Sequence, residues 1–258
     1  KEIQKINDKG DPERAKEIFE EAKRKKFQNK LEEKTNHLPD SIPYLLVGGG
    51  TASFAAFRAI KANDPKARVI VITDEQFNPY MRPPLSKELW FTDSDLAKKL
   101  SFKQWNGRER SIFFEHDEFY CPLKDLKDKE TGGVSIVNGR QVIKIDAVEK
   151  KAYLENGQII GYDKCLIATG GRPKNIPPFS NAPDDVQRRV ILYRGIKDFK
   201  LLNDAFRRSK SVTIVGGGFL GSELACALGN RSKTTKSNIT INQIFPESGN
   251  MGKVLPEY

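Results

Sequence analysis

Two glycine triplets sit where this chain could do chemistry. Gly48-Gly49-Gly50 follows the apolar run Tyr44-Leu45-Leu46-Val47, and Gly216-Gly217-Gly218 follows Ser211–Val215. The first reads Gly48-x-Gly50-x-x-Ser53, and the second, Gly216-x-Gly218-x-x-Gly221, is the complete form. In such a turn the first glycine permits the bend and the second lets the backbone approach a pyrophosphate. The third position must be small so that helix and strand pack closely. The helix that follows offers free N–H groups and the positive end of its dipole to phosphate. Asp74 closes the next apolar run, where an acid accepts hydrogen bonds from ribose hydroxyls. Glu247 follows the corresponding run of the second turn, and an acid there favours the free ribose of NAD over the phosphorylated ribose of NADP.

The elements that must position these residues are legible in outline. Tyr44–Val47, an Ala-rich helix over Thr51–Asn63 and a buried strand over Ala67–Thr73 make one βαβ unit. Ser211–Val215, a helix over Phe219–Leu228 and a strand over Ile239–Phe245 begin a second, 168 residues later. Between them, Val134–Val137, Val142–Asp146 and Ala152–Glu155 read as strands, with Asn138-Gly139 and Asn156-Gly157 as hairpin turns. Lys164–Ala168 is a further apolar strand, ended by Thr169-Gly170-Gly171. That ending reads equally as a plain strand-terminating turn or as the lining of a flavin site. Pro173, Pro177, Pro178 and Pro183 mark a connector. Asp11 and Pro12 start an exposed or loosely docked helix over residues 11–34, followed by a linker. The expected class is therefore α/β, a FAD/NAD(P)-binding Rossmann-like fold with two nucleotide-binding units. The expected division is a helical extension over 1–40, a FAD-binding segment over 41–178 and the start of an NAD-binding domain over 179–258. The chain stops just beyond the second turn, so the second unit is expected to be incomplete.

Composition narrows the chemistry. Net charge is +10, and residues 41–258 carry 33 Lys and Arg against 24 Asp and Glu. A basic surface of this kind attracts nucleic acid, anionic lipid or an acidic partner without choosing among them. Cys121, Cys165 and Cys226 are far apart and form no metal-ligand or CxxC spacing, and His37 and His116 have no ligating neighbours, so no metal site is expected. Their apolar surroundings predict two of the three thiols to be buried in strand or helix. With no cysteine pair beside the first turn, disulfide chemistry is not expected. Two dinucleotide turns in one chain imply that hydride passes from a nicotinamide to a second nucleotide cofactor, most simply a flavin.

The strings LLVGGGTASFAAFRAI, PYMRPPLSKELW, FKQWNGRERSI, KCLIATGGRP, GGGFLGSELACALG and FPESGNMGKVLPEY closely resemble the apoptosis-inducing factor family of flavoproteins, from about Ile42 to Tyr258. The resemblance implies an NADH-dependent FAD oxidoreductase of the mitochondrial intermembrane space. FAD would be held by Gly48, Gly49, Gly50, Thr51 and Ala52, by Asp74 and Glu75, by Arg82, Lys87, Val142 and Arg194, and beside Thr169 and Gly170. NADH would meet Trp105, Gly217, Gly218, Phe219, Leu220, Glu247 and Lys253. Lys87 and Glu223 would pair close to the reacting flavin ring and act catalytically, with Phe219 over the ring until nicotinamide displaces it. Chemistry agrees with part of this assignment. Arg82 and Lys87 are cations suited to phosphate or reduced flavin, and Trp105 offers a stacking face. Taken alone, Arg194 and Lys253 read as ordinary surface charges. The resemblance also implies a mitochondrial import or assembly partner, a role in respiratory-chain biogenesis and, after release, relocation to the nucleus with DNA binding in caspase-independent cell death. The family's homodimerisation surface lies outside this chain. Two other readings share features with it: a ferredoxin-reductase-type electron-transfer flavoprotein, and a non-enzymatic DNA-binding or scaffold fragment.

Overall fold

The computed structural model describes residues 37–255, so the helix expected over residues 11–34 lies outside the described residues. In chain order the elements are β1 (Ser41–Val47), α1 (Thr51–Asn63), β2 (Arg68–Thr73), β3 (Ser101–Lys103), β4 (Glu109–Ser111), β5 (Gly133–Asn138), β6 (Val142–Asp146), β7 (Lys151–Leu154), β8 (Ile159–Ile167), α2 (Ile196–Arg208), β9 (Ser211–Val215), α3 (Phe219–Thr234) and β10 (Thr240–Ile244). They form two compact units, one of residues up to Asn78 with His116–Ala168, the other of Pro79–Glu115 with Thr169 onward.

The first unit is built on one sheet of order β5-β2-β1-β8-β7-β6. β5, β2, β1 and β8 run parallel, and β8, β7 and β6 form an antiparallel meander. Strand periodicity of two sends Leu46, Val69 and Val71 to a core closed by Phe57 of α1. The alternate residues, Leu45, Val47, Ile70 and Ile72, pack on Ala152, Leu154 and Ile160 of the meander. β8 serves both layers, pairing with β7 over residues 159–161 and with β1 over residues 161–167.

Asn156-Gly157 forms the expected hairpin between β7 and β8, with Gly157 at φ 83°. Asn138-Gly139 does not form one. It bends the chain, but β5 pairs with β2 and β6 pairs with β7, at opposite ends of the strand order. Only three residues join β5 to β6. Three residues reach about 14 Å at most, against about 24 Å across a flat six-stranded sheet, so the sheet must fold back on itself. The backbone N–H groups of Gly139 and Arg140 bond to the Glu75 and Thr73 carbonyls, which ties this crossing to the end of β2.

The second unit holds β9 and β10, paired in parallel from Ser211↔Thr240 to Val215↔Ile244, and the antiparallel pair β3–β4. α2 buries Ile196, Phe199, Leu202 and Phe206, and α3 buries Leu224, Ala227 and Leu228. Among the described residues no helix is long and apolar enough to cross a membrane.

The two glycine turns repeat one construction. Gly48 and Gly216 adopt φ 109° and 130°, and their N–H groups bond to the carbonyls of Ile72 and Ile244, both at 2.8 Å. A Cβ on the middle glycine would strike the residue that ends or directly follows the next strand: 2.9 Å from Thr73 at Gly49, and 2.7 Å from the Phe245 ring at Gly217. The third motif position differs. At Gly221 a Cβ would lie 2.2 Å from the Gly216 carbonyl oxygen. The fully buried Ser53 instead donates its Oγ to the Gly48 carbonyl at 2.5 Å. We therefore expect Gly217→Ala and Gly221→Ala each to cost about 1–3 kcal/mol of stability through overpacking. Urea unfolding followed by circular dichroism checks this, and unchanged midpoints would contradict the packing described.

Candidate nucleotide-binding and redox site

Each turn ends on a helix prepared for an anion. Gly50 and Gly218 are the N-caps of α1 and α3, with extended backbone, and neither first turn carries an acidic residue to offset the helix dipole. Among the described residues nothing beyond the adjoining chain and the helix's own backbone lies within 4 Å of a Cβ placed on Gly50 or Gly218. Internal packing therefore gives no reason for glycine at these two positions, whereas the open backbone suits the close approach of a phosphate. A dinucleotide fits both turns on this ground.

In the first unit, Thr51 and Ala52 are exposed at the start of α1, while Asp74 is exposed and Glu75 half-buried just after β2. Thr73 Oγ1 accepts the Glu75 N–H at 3.2 Å, shaping that corner. Val142 begins β6 directly after the crossing tied to Thr73 and Glu75, so these predicted residues share one rim of the sheet.

In the second unit, Arg82, Gly170 and Arg194 come together from distant parts of the chain. Arg82 Nη1 donates to the Tyr80 hydroxyl at 3.0 Å and to the Arg194 carbonyl at 3.5 Å, with its guanidinium 5.1 Å from the centre of the Tyr80 ring. Gly170, next to Thr169, has φ 68°, and a Cβ on it would come 2.8 Å from Arg194 Nη2. Asp198 accepts the N–H groups of Arg194 and Gly195 at 2.8 and 2.7 Å and fixes this corner at the start of α2.

Lys87 and Glu223 meet as predicted. Lys87 Nζ lies 2.8 Å from Glu223 Oε2, which also accepts the hydroxyl of the buried Ser86 at 2.6 Å. Burial pushes the Glu223 carboxyl up, but the hydrogen bonds from Lys87 and Ser86 outweigh it and hold the carboxyl below its ordinary range. Lys87 and Glu223 line a cleft of about 770 Å³ together with Phe91, Lys103 and Cys226.

The turn carrying Ser86 and Lys87 is pinned by residues that sequence reading did not assign a role. The Leu85 carbonyl accepts the Trp90 Nε1–H at 2.8 Å and the Tyr193 hydroxyl. Trp90 packs edge-on against Phe199 and Phe206 of α2, at centroid distances of 5.2 and 6.2 Å. Trp90 was visible within PPLSKELW, but nothing local marks Tyr193 as its companion. On the other side, the second glycine turn is laced to the 248–253 loop. Ser222 Oγ donates to Asn250 Oδ1 at 2.8 Å, Gln243 Nε2 to the Gly216 carbonyl at 2.9 Å, and the Met251 N–H to the Gly217 carbonyl at 2.8 Å. The loop carries Lys253, whose Nζ sits 3.0 Å from Glu247 and draws that carboxyl below its ordinary range. Phe219 and Leu220 stand 59% and 44% exposed on the first turn of α3. Trp105 lies elsewhere in the unit, at the tip of the β3–β4 hairpin.

The thiols differ from expectation. Cys121, in a loop, is the buried one. Cys165 on β8 is half-buried and Cys226 on α3 is exposed. Apolar neighbours in sequence mark strand and helix, yet they do not determine which face a residue occupies.

The fold, the paired turns and the sequence place the chain in a class. It belongs to the pyridine nucleotide-disulphide oxidoreductase family, which it matches over residues 43–248. Within that class it is similar to putative apoptosis-inducing factor 1, mitochondrial, of Drosophila melanogaster, with 50% identity over 86% of this chain and 30% of that protein. It is also similar to apoptosis-inducing factor 1, mitochondrial, of Dictyostelium discoideum, with 37% identity over 90% of this chain and 41% of that protein. The chain thus spans less than half the length of these relatives. Among solved structures, a NAD-dependent persulfide reductase from A. fulgidus shares the fold with a TM-score of 0.63, at 18% identity over 84% of this chain and 36% of that one.

The Ser86–Lys87–Glu223 contact has a definite pH dependence. Because the folded-state pKa of Glu223 is depressed, its contribution to stability is present above the ordinary value near 4.5 and is lost as pH falls through the lowered folded value. The pair is partly exposed, so Glu223→Gln is expected to cost no more than about 1 kcal/mol at pH 7, and the deficit should fade toward pH 3. An NMR titration of the Glu223 carboxyl checks the sign: a midpoint at or above the ordinary value would contradict it.

Proposed function

We propose that this chain is the nucleotide-binding front portion of an NADH-dependent FAD oxidoreductase. The carrying observation is the pair of similarly built turns, each with a glycine that faces open space among the described residues and a helix start free of acidic residues. In this reading, on the family resemblance, Gly48–Ala52, Asp74, Glu75, Arg82, Lys87, Val142, Thr169, Gly170 and Arg194 are the residues assigned to FAD. Gly217, Gly218, Phe219, Leu220, Glu247 and Lys253 hold NADH, with Trp105 offering a stacking face. FAD held by the residues assigned to it would supply a hydride acceptor for NADH and a route for onward electron transfer.

The protein's own contribution is electrostatic and positional. Arg82 and Arg194 offset phosphate charge. Glu247, kept ionised by Lys253, presents a carboxylate to ribose hydroxyls and disfavours a ribose phosphate. Glu223, also ionised, fixes the Lys87 ammonium, so the lysine supplies a held positive charge that favours a more electron-rich flavin.

The likeness to apoptosis-inducing factors supports a mitochondrial setting and a part in cell death. We extend the reading, on the same likeness, to the intermembrane space, to an import or assembly partner in respiratory-chain biogenesis and to a phosphate-dominated contact with DNA after release.

The test is spectroscopic. The 258-residue chain supplied with FAD is expected to retain a visible flavin band that bleaches when NADH is added without oxygen. Loss of all flavin on gel filtration would overturn the reading for this chain. Gly218→Ala should leave the unfolding midpoint in place while weakening NADH binding about tenfold or more, because the added methyl occupies the space left for phosphate. Equal NADH affinity in wild type and variant, measured by calorimetry, would remove that glycine from the site.

A further inference from the structure

The β3–β4 hairpin carries the indole assigned above to NADH, and in the protein without nucleotide that indole stands in solvent. Trp105 at its tip is 96% exposed, while Trp90, the chain's other tryptophan, is 1% exposed. The tip is held in shape. Gln104 N–H donates to the Arg108 carbonyl and Gly107 N–H to the Gln104 carbonyl, both at 2.9 Å. Arg108 N–H donates to Asn106 Oδ1 at 3.0 Å, and Gly107 takes φ 79°. The indole is therefore presented by an ordered backbone. The hairpin and the segment leading into it carry the exposed cations Lys98, Lys99, Lys103, Arg108 and Arg110, against the exposed acids Asp93 and Glu109 and an Asp95 paired with Lys98 at 3.0 Å.

We infer that this hairpin is a docking point for an anionic phospholipid surface. A single projecting indole on a hairpin rich in exposed lysine and arginine suits the boundary of a bilayer, with the ring at headgroup level and the cations against lipid phosphates. Single-stranded nucleic acid is bound instead by a groove lined with several successive aromatic faces, and the hairpin tip offers one. The contact is peripheral and strengthens with the anionic lipid content of the membrane.

The two tryptophans make the test direct. The full 258-residue chain, without nucleotide, is mixed with vesicles of phosphatidylcholine alone or of phosphatidylcholine with phosphatidylglycerol. Trp105 emission is expected to shift to the blue with the anionic vesicles only, and the protein to sediment with them. Replacing Lys103, Arg108 or Arg110 with Gln should weaken vesicle binding about fivefold for each cation removed, the factor that corresponds to about 1 kcal/mol per charge near the surface. Trp105→Ala should abolish the spectral shift while leaving the Trp90 emission unchanged, which confirms that the variant is folded. No shift and no sedimentation with anionic vesicles overturns the inference. So does equal binding to neutral vesicles, or retention on a single-stranded oligonucleotide with no response to lipid. Because no nucleotide is present, failure here leaves the oxidoreductase reading untouched.

Discussion

Everything functional in this molecule depends on how closely a glycine backbone can approach the end of a neighbouring strand. At Gly49 and Gly217 the chain passes Thr73 and Phe245 with no space for a side chain. That approach sets the tightness of the bend, and the bend aims the N-terminus of the following helix past the strand ends. Were either turn wider, the helix start would move away from the acid that follows the next strand, and no single dinucleotide could touch both. The motif's own second glycine, at Gly50 and Gly218, is spared such crowding. Two adjacent glycines thus meet different demands, the middle one tight packing within the protein and the next an open backbone, which the proposed function gives to a ligand.

A second constraint operates through one carbonyl group. Leu85 accepts two donors, from Trp90 and Tyr193, and so locks the turn that carries Ser86 and Lys87. Trp90 is in turn wedged against α2. Glu223 reaches this turn from α3 and collects both the serine hydroxyl and the lysine ammonium. The ion pair therefore sits on a packed aromatic support, which limits how far Lys87 can stray from the place where charge is wanted.

The sequence made some of this legible and hid the rest, for reasons of range. The glycine turns, the strands on either side of them and the Lys87–Glu223 pairing were readable, the first two because their signals are local and the last through resemblance. Asn138-Gly139 was misread because turn chemistry reports a bend, whereas the strand that pairs with β5 lies some 65 residues upstream (Arg68↔Gly133). Tyr193 was missed because its acceptor is 108 residues away. Ser53 illustrates the opposite case. It looked like a tolerated departure from glycine, and the structure makes it a bonding partner of the turn, a role that its small size alone did not announce.

β8 has a consequence for how the protein is made. Its partner β1 precedes it by 120 residues, as the pairing Ser41↔Gly161 shows. At about 5–20 residues per second of synthesis, β1 waits on the order of ten seconds on the ribosome with one flank open. Its apolar residues Leu45, Leu46 and Val47 are exposed to wrong partners for that interval. The insertion over Pro79–Glu115 emerges meanwhile, and its own partners from Thr169 onward arrive later still. Neither unit can close before the residues up to Ala168 have emerged, which makes the nascent protein a natural client for a chaperone that shields strand edges.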